Sequence, residues 1–87
     1  MGLVYILQSL KNFRYYIGST NDLERRVIEH NSGHTSYDRA NKPFQLLFHQ
    51  TYSSLKEARK IEKKIKKAKS KKLLEQIILD GIIKLKV

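Results

Sequence analysis

The stretch Leu3-Val4-Tyr5-Ile6-Leu7, followed after a polar break by Tyr15-Tyr16-Ile17-Gly18-Ser19, decides how the chain is read. Both halves are rich in β-branched and aromatic residues, which suit a pleated surface, and Ser9, Lys11 and Asn12 between them favour a turn. The simplest arrangement is two antiparallel strands joined as a hairpin. With the turn centred on Leu10-Lys11 or on Lys11-Asn12, odd-numbered residues of the first strand face the same way as even-numbered residues of the second. Tyr5 and Tyr16 then share one face. Taken alone, two phenols so placed read as core aromatics.

Downstream, Asn21-x-x-Glu24 has the form of a capping box and predicts a helix from Asp22 to Asn31, with Gly33 as a left-handed stop. On a helical wheel from Leu23, Val27 falls at about +40°, His30 at about −20° and Arg26 at about −60°. Arg26 and His30 therefore border the buried stripe, and Arg25 and Glu29 lie on the far side as solvated charges. Ser32 to Pro43 holds turn formers and a proline without apolar periodicity, which predicts an exposed loop. Its Tyr37, Arg39 and Lys42 are residue types suited to touching a nucleic acid. Phe44 to Thr51 alternates, with Phe44, Leu46 and Phe48 on one face and Gln45, Leu47 and His49 on the other, and predicts a third strand.

Ser54-x-x-Glu57 is a second capping box and opens a helix through Ala68. Ala58, Ile61 and Ile65 define its buried arc, and Glu62 falls inside that arc while the lysines and Arg59 lie off its centre. An ionised carboxylate buried without a partner costs several kcal/mol, so Glu62 calls for a cation nearby. Ser70 or Lys71 begins a third helix carrying Leu73, Leu74, Ile77 and Ile78, with Gly81 as its stop. Residues 82–87 alternate weakly and are compatible with an edge strand or a loose end. The lysine-dense run from Lys60 to Lys72 reads as a helix face.

Eighteen Lys and Arg against eight Asp and Glu give a formal charge of +10 on 87 residues, which points to a polyanionic partner. A chain of this length makes one domain, 1–87, with a modest core and a shallow, open active surface. The absence of cysteine excludes disulfides, thiolate zinc sites and cysteine nucleophiles, and fits a cytoplasmic setting. No apolar run approaches the ~20 residues a membrane span needs, and no membrane partner is expected. His30-x-x-x-His34 has zinc spacing, but Gly33 ends the helix between the two and no third ligand accompanies them. The lysines surround the helices instead of marking one short recognition helix, which argues against reading bases in the major groove.

Tyr5, then Tyr16-Ile17-Gly18, then Arg26 and His30 resemble the GIY-YIG nuclease family in order and spacing. So do Thr20-Asn21-Asp22-Leu23-Glu24-Arg25-Arg26, His30-Asn31-Ser32-Gly33 and Ala58-x-x-x-Glu62-x-x-Ile65-Lys66, which look like the small, single-domain UPF0213-like branch. The resemblance implies an α/β (α+β) fold, with a small, mostly antiparallel three-stranded sheet flanked by helices. It also implies a divalent-metal-dependent endonuclease that hydrolyses DNA phosphodiester bonds, selective for strand state or structure, in a setting such as repair or recombination. In that scheme Glu62 holds Mg²⁺ or Mn²⁺, and Tyr5 and Tyr16 flank the phosphate, one of them accepting the proton of water. Arg26 clamps the phosphate, and His30 orients a tyrosine or relays a proton. Tyr37, Arg39, Lys42 and Lys66 are further candidates for nucleic-acid contact, and no small-molecule cofactor is implied.

A phenol titrating near 10 is a poor base at neutral pH, so the scheme needs the metal or Arg26 to favour the phenolate. Tyr5, Tyr16, Arg26 and Glu62 should then converge on one shallow concave surface, with Glu62 on the same side of the sheet as Tyr16, and Glu62 on the opposite side would count against the catalytic assignment. Two positions depart from the family pattern. Leu3 stands in place of the first glycine, and Ser19 stands where some members carry a basic residue. The alternative of a different class is a non-catalytic basic nucleic-acid-binding module on the same scaffold.

Overall fold

The Ser9 hydroxyl accepts the backbone N–H groups of Lys11 (3.2 Å) and Asn12 (3.3 Å) and so turns the chain back, in a computed structural model that describes residues 1–86. Strand β1 (Gly2–Ser9) enters this turn and β2 (Tyr15–Thr20) leaves it antiparallel, with Tyr5 opposite Gly18 and Leu7 opposite Tyr16. The turn is thus centred on Lys11-Asn12, and Tyr5 and Tyr16 share a face. Strand β3 (Phe44–Tyr52) pairs antiparallel with the other side of β1, giving the order β2-β1-β3. With helices α1 (Leu23–Ser32), α2 (Ser36–Asn41), α3 (Leu55–Ala68) and α4 (Lys71–Asp80), this is the α/β architecture that the resemblance implied. No helix among the described residues is long and apolar enough to cross a membrane.

The alternation expected of β3 does not hold along its whole length. Ile6 pairs with Phe48 but Leu7 pairs with Leu46, so Leu47 is an extra residue at a bulge. One inserted residue flips every side chain beyond it. Phe48 therefore joins Val4, Ile6 and Ile17 against Ala58, Ile61 and Ile65 of α3, while Phe44 and Leu46 join Tyr5, Leu7, Leu23 and Val27 on the opposite face. The central strand is buried on both faces, with Val4, Tyr5, Ile6 and Leu7 all at 0% exposure. Helix α1 covers the Tyr5 face, and α3 and α4 cover the other.

Two helix boundaries also differ from the sequence reading. Asp22, not Asn21, caps α1, its carboxylate accepting the Arg25 N–H at 3.1 Å. Thr20 Oγ1 accepts the Asp22 N–H at 3.0 Å, which delays the first helical turn by one residue. The segment from Ser32 to Pro43, expected as a loop, contains α2, capped by Thr35 Oγ1 on the Asp38 N–H at 3.1 Å. Ser54 and Ser70 cap α3 and α4, and Gly33 and Gly81 end α1 and α4 in the left-handed region.

Residues 82–86 form no strand, and Val87 lies outside the described residues. Gln50 donates from Nε2 to the Ile83 carbonyl at 3.2 Å and accepts the Ile83 N–H at 2.8 Å through Oε1. A side-chain amide thus takes the groups that strand pairing would use, and seats Ile83 in the core at 4% exposure.

Candidate active site

Gly18 lets the Tyr5 ring lie flat against β2, because a Cβ at that position would stand 2.4 Å from the Tyr5 hydroxyl oxygen. That hydroxyl is 3.0 Å from His30 Nε2, and His30 Nδ1 is 2.8 Å from Asp38 Oδ1. A carboxylate accepts only, so Nδ1 carries its proton toward Asp38 and, in the neutral imidazole, Nε2 accepts a hydrogen bond from the Tyr5 hydroxyl. His30 and Asp38 are 2% and 3% exposed. His30 therefore sits inside the packed stripe and not at its border, with Tyr16 edge-on to its ring at 4.8 Å between centroids.

Burial pushes the Tyr5 phenol above its ordinary value, with the Arg26 guanidinium working against the shift and the charges of Tyr16 and Glu62 adding to it. The net direction opposes a ready phenolate. Besides Arg26, the structure sets His30 Nε2 within hydrogen-bond distance of this hydroxyl. Arg26 is in turn held further above its ordinary value by Tyr5. It also pairs with Glu29 at 3.5 Å, so Glu29 is not simply a solvated charge on the far side.

Asp38 was not a candidate in the sequence because its segment reads as a loop. The signal available was Thr35-x-x-Asp38, a cap spacing that places a helix there. Removing this carboxylate leaves a buried imidazole N–H without a partner, at a cost of about 1–3 kcal/mol. Asp38→Ala is therefore expected to lower the melting temperature by about 4–8 °C per kcal/mol lost, as read by circular dichroism. An unchanged melt would mean that water replaces the carboxylate.

Glu62 does not lie on the Tyr16 side of the sheet. It projects from α3, which packs on the opposite face, and reaches the edge strand, where Ser19 Oγ donates to its Oε1 at 2.5 Å. Lys66 Nζ stands 2.6 Å from Oε2 and is the cation that the burial of Glu62 called for. The sequence placed the four residues on one surface because a wheel orders the side chains of a helix but does not say which face of the sheet the helix covers. What joins them is the exposed edge of β2. There a hollow of about 300 Å³ is lined by Ser19, Arg25 and Arg26 from one side and Arg59 from the other. Ser19 belongs both to this hollow and to the Glu62 carboxylate, and Tyr5 packs on Gly18, the residue before it.

By sequence Arg25 and Arg59 are solvated charges, whereas in the structure both line the hollow, and only the i, i+3 spacing of Arg59 and Glu62 hints at a shared side. The weaker nucleic-acid candidates do not form one patch. Tyr37 is 43% exposed, with its ring 5.6 Å from that of Tyr16, while Lys66 stands beyond the sheet at Glu62. Arg39 donates to the Gly33 carbonyl and to Ser36 Oγ, both at 3.2 Å, and Lys42 is exposed at the end of α2.

No group of three or more His, Asp or Glu side chains that could share a metal ion occurs among the described residues. The donor set that does exist is one carboxylate, 17% exposed, beside a hydroxyl and an ammonium that is 53% exposed and free to swing away. That set fits a magnesium ion, which keeps most of its waters and needs one or two carboxylates plus a phosphate. It does not fit zinc, which needs three or four nitrogen, sulfur or carboxylate ligands where this set offers one.

The sequence model of the GIY-YIG catalytic domain matches residues 1–75. A UPF0213 protein of Bacillus pumilus is 40% identical over 52 residues, covering 59% of this chain and 53% of that protein. A UPF0213 protein of Streptococcus pneumoniae serotype 4 is 39% identical over 67 residues, covering 76% of this chain and 67% of that protein. The chain thus spans between about half and two thirds of the length of these two relatives. The solution NMR structure of the UPF0213 protein BH0048 from Bacillus halodurans is 36% identical, with a TM-score of 0.57, and covers 93% of this chain and 87% of that one.

Proposed function

The chain belongs to the GIY-YIG family, and from that premise we propose that it is a divalent-metal-dependent endonuclease that hydrolyses DNA phosphodiester bonds by strand state or structure. The observation that carries this reading is the hollow at the edge of β2, where Arg25, Arg26 and Arg59 surround the hydroxyl that holds Glu62. Three guanidinium groups around one hollow would stabilise the charge that builds on non-bridging oxygens as the transition state forms.

Arg26 is the phosphate clamp, its pair with Glu29 being long and partly exposed and so exchangeable for a bidentate phosphate. Tyr5 is the proton conduit. Its hydroxyl has Arg26 on one side and His30 on the other, and Asp38 holds His30 in the tautomer that receives a proton. Glu62, with Ser19 beside it, would hold Mg²⁺ or Mn²⁺, and the bound ion would neutralise charge on the phosphate and the leaving oxygen. Tyr16, half-buried on the same face as Tyr5, walls the approach and keeps His30 in place.

A charge of +10 supports a polyanionic substrate. Binding to DNA is expected to weaken steeply with salt as counterions are released, with a log–log slope of roughly −3 to −6 for about four to six phosphates. Titration by fluorescence anisotropy at several salt concentrations measures it. A flat dependence would leave the lysines as solubilising charge only.

Two observations favour the second reading, a non-catalytic nucleic-acid-binding module. Glu62 rises from the helix on the face of the sheet opposite Tyr16, the placement that counts against a catalytic role. Ser19 and Lys66 already satisfy both carboxylate oxygens of Glu62 without a metal. Cleavage of matched single-stranded, duplex and flap DNA, with and without Mg²⁺, separates the two. Metal-dependent nicking supports the enzyme, and binding without any cutting supports the module.

A further inference from the structure

Behind the Glu62 carboxylate, between the hairpin loop and the junction of α3 and α4, runs a groove of about 450 Å³, larger than the hollow at the edge of β2. Its volume is in the range of small-ligand sites. Its floor is apolar, from Ile17, Ile65 and Leu74, and its rim is cationic, from Arg14, Lys66, Lys69 and Lys71, with no acidic side chain lining it among the described residues. Lys66 is common to this groove and to the Glu62 pair, so the groove opens directly beside the site described above.

The placement of Phe13 is not explained by packing. Its ring is 64% exposed at the lip of the groove, and its backbone is held at φ 62°, a conformation that bulky side chains avoid. The turn imposes that conformation firmly. Phe13 donates its N–H to the Ser9 carbonyl at 2.8 Å and accepts from Gln8 Nε2 at 3.1 Å. An outward aromatic ring that shares the groove with a second, Tyr15, whose ring has the Lys71 ammonium 5.9 Å from its centroid, and with four cations matches the chemistry of single-stranded nucleic acid, in which bases stack on aromatic faces and phosphates meet lysine and arginine. A base paired inside a duplex has both faces covered by its neighbours and offers none to Phe13.

We infer that this groove is a subsite for an unpaired nucleotide flanking the phosphate to be cut, with its base stacked on Phe13 against Tyr15 and its phosphates held by Arg14, Lys66, Lys69 and Lys71. The inference rests on the nuclease reading for what the adjoining site does, but its binding step stands apart from catalysis. It assigns a physical origin to strand-state selectivity, namely an extra stacking contact open only to an unpaired base.

Binding measured in EDTA, where nothing is cut, tests it. The probe is a short oligothymidylate carrying one 2-aminopurine, compared with a duplex of equal length and with an oligomer of abasic sites. Phe13→Gly is the variant of choice, because glycine accepts the left-handed backbone and the fold is kept. Phe13→Gly is expected to weaken single-strand binding about tenfold, to abolish the quenching of 2-aminopurine on binding, and to leave duplex affinity within twofold. The abasic oligomer should bind parent and variant alike.

Equal losses for single strand and duplex, or no loss for either, would overturn the subsite while leaving the nuclease reading in place. Displacement of the oligomer by polyglutamate at the same charge concentration would also overturn it, by showing that the groove takes any polyanion. A parent protein that binds no single strand and cuts nothing would remove both readings. One that cuts DNA yet shows no quenching removes only the subsite.

Discussion

Glu62→Gln is expected to reduce metal-dependent cleavage by about two orders of magnitude or more, at ~1.4 kcal/mol of transition-state stabilisation per tenfold. The amide keeps nearly the same volume and an oxygen for Ser19 Oγ, so the edge of β2 is retained. What is lost is the charge that attracts Mg²⁺ and the pair with Lys66. Lys66 is more than half exposed, so that pair is worth only about 0–1 kcal/mol to folding. DNA binding should survive or tighten slightly, since the phosphate meets one fewer negative charge and the arginines of the hollow are untouched. The comparison is made on protein shown to be folded by circular dichroism. A Glu62→Gln protein that cuts as fast as the parent in the same Mg²⁺ would make the single-metal reading wrong and leave the binding module in its place.

Gly18→Ala is expected to damage stability and activity together. An alanine Cβ there would stand 2.4 Å from the Tyr5 oxygen and 2.6 Å from the ring carbon that bears it, well inside contact distance. Tyr5 has no free volume to retreat into, being 0% exposed with His30 and Arg26 about its hydroxyl. Either the ring leaves His30 or the edge strand moves outward and draws Ser19 away from Glu62. Overpacking of this kind costs about 1–3 kcal/mol, and displacing a reacting group by ~1 Å costs up to about a hundredfold in rate. Thermal melts and single-turnover cleavage of the same preparation report the two losses. Normal values of both would show that the glycine is not needed to seat Tyr5.

Much of this architecture follows from local pattern. The hairpin and its parity came from two β-rich runs around a polar break, and the caps of α3 and α4 from Ser54 and Ser70, because strands and helix ends are governed by residues close in the chain. Tyr5 and Tyr16 on one face, Glu62 inside the buried arc of its helix, and the need for a cation beside it were legible for the same reason, although that cation is Lys66 of the same helix and not Arg26. Three features were not. The bulge at Leu47 reverses the facing of Phe48, and it exists because β3 must fit α3 on one side and Tyr5 on the other. Asp38 acquires its meaning only when α2 folds back over α1 and brings a carboxylate to an imidazole eight residues away. The side of the sheet that α3 covers, and hence the approach of Glu62 to the site from behind β2, is decided by packing between distant segments. Periodicity tells a helix which of its faces is apolar, but the partner for that face is chosen by the whole chain.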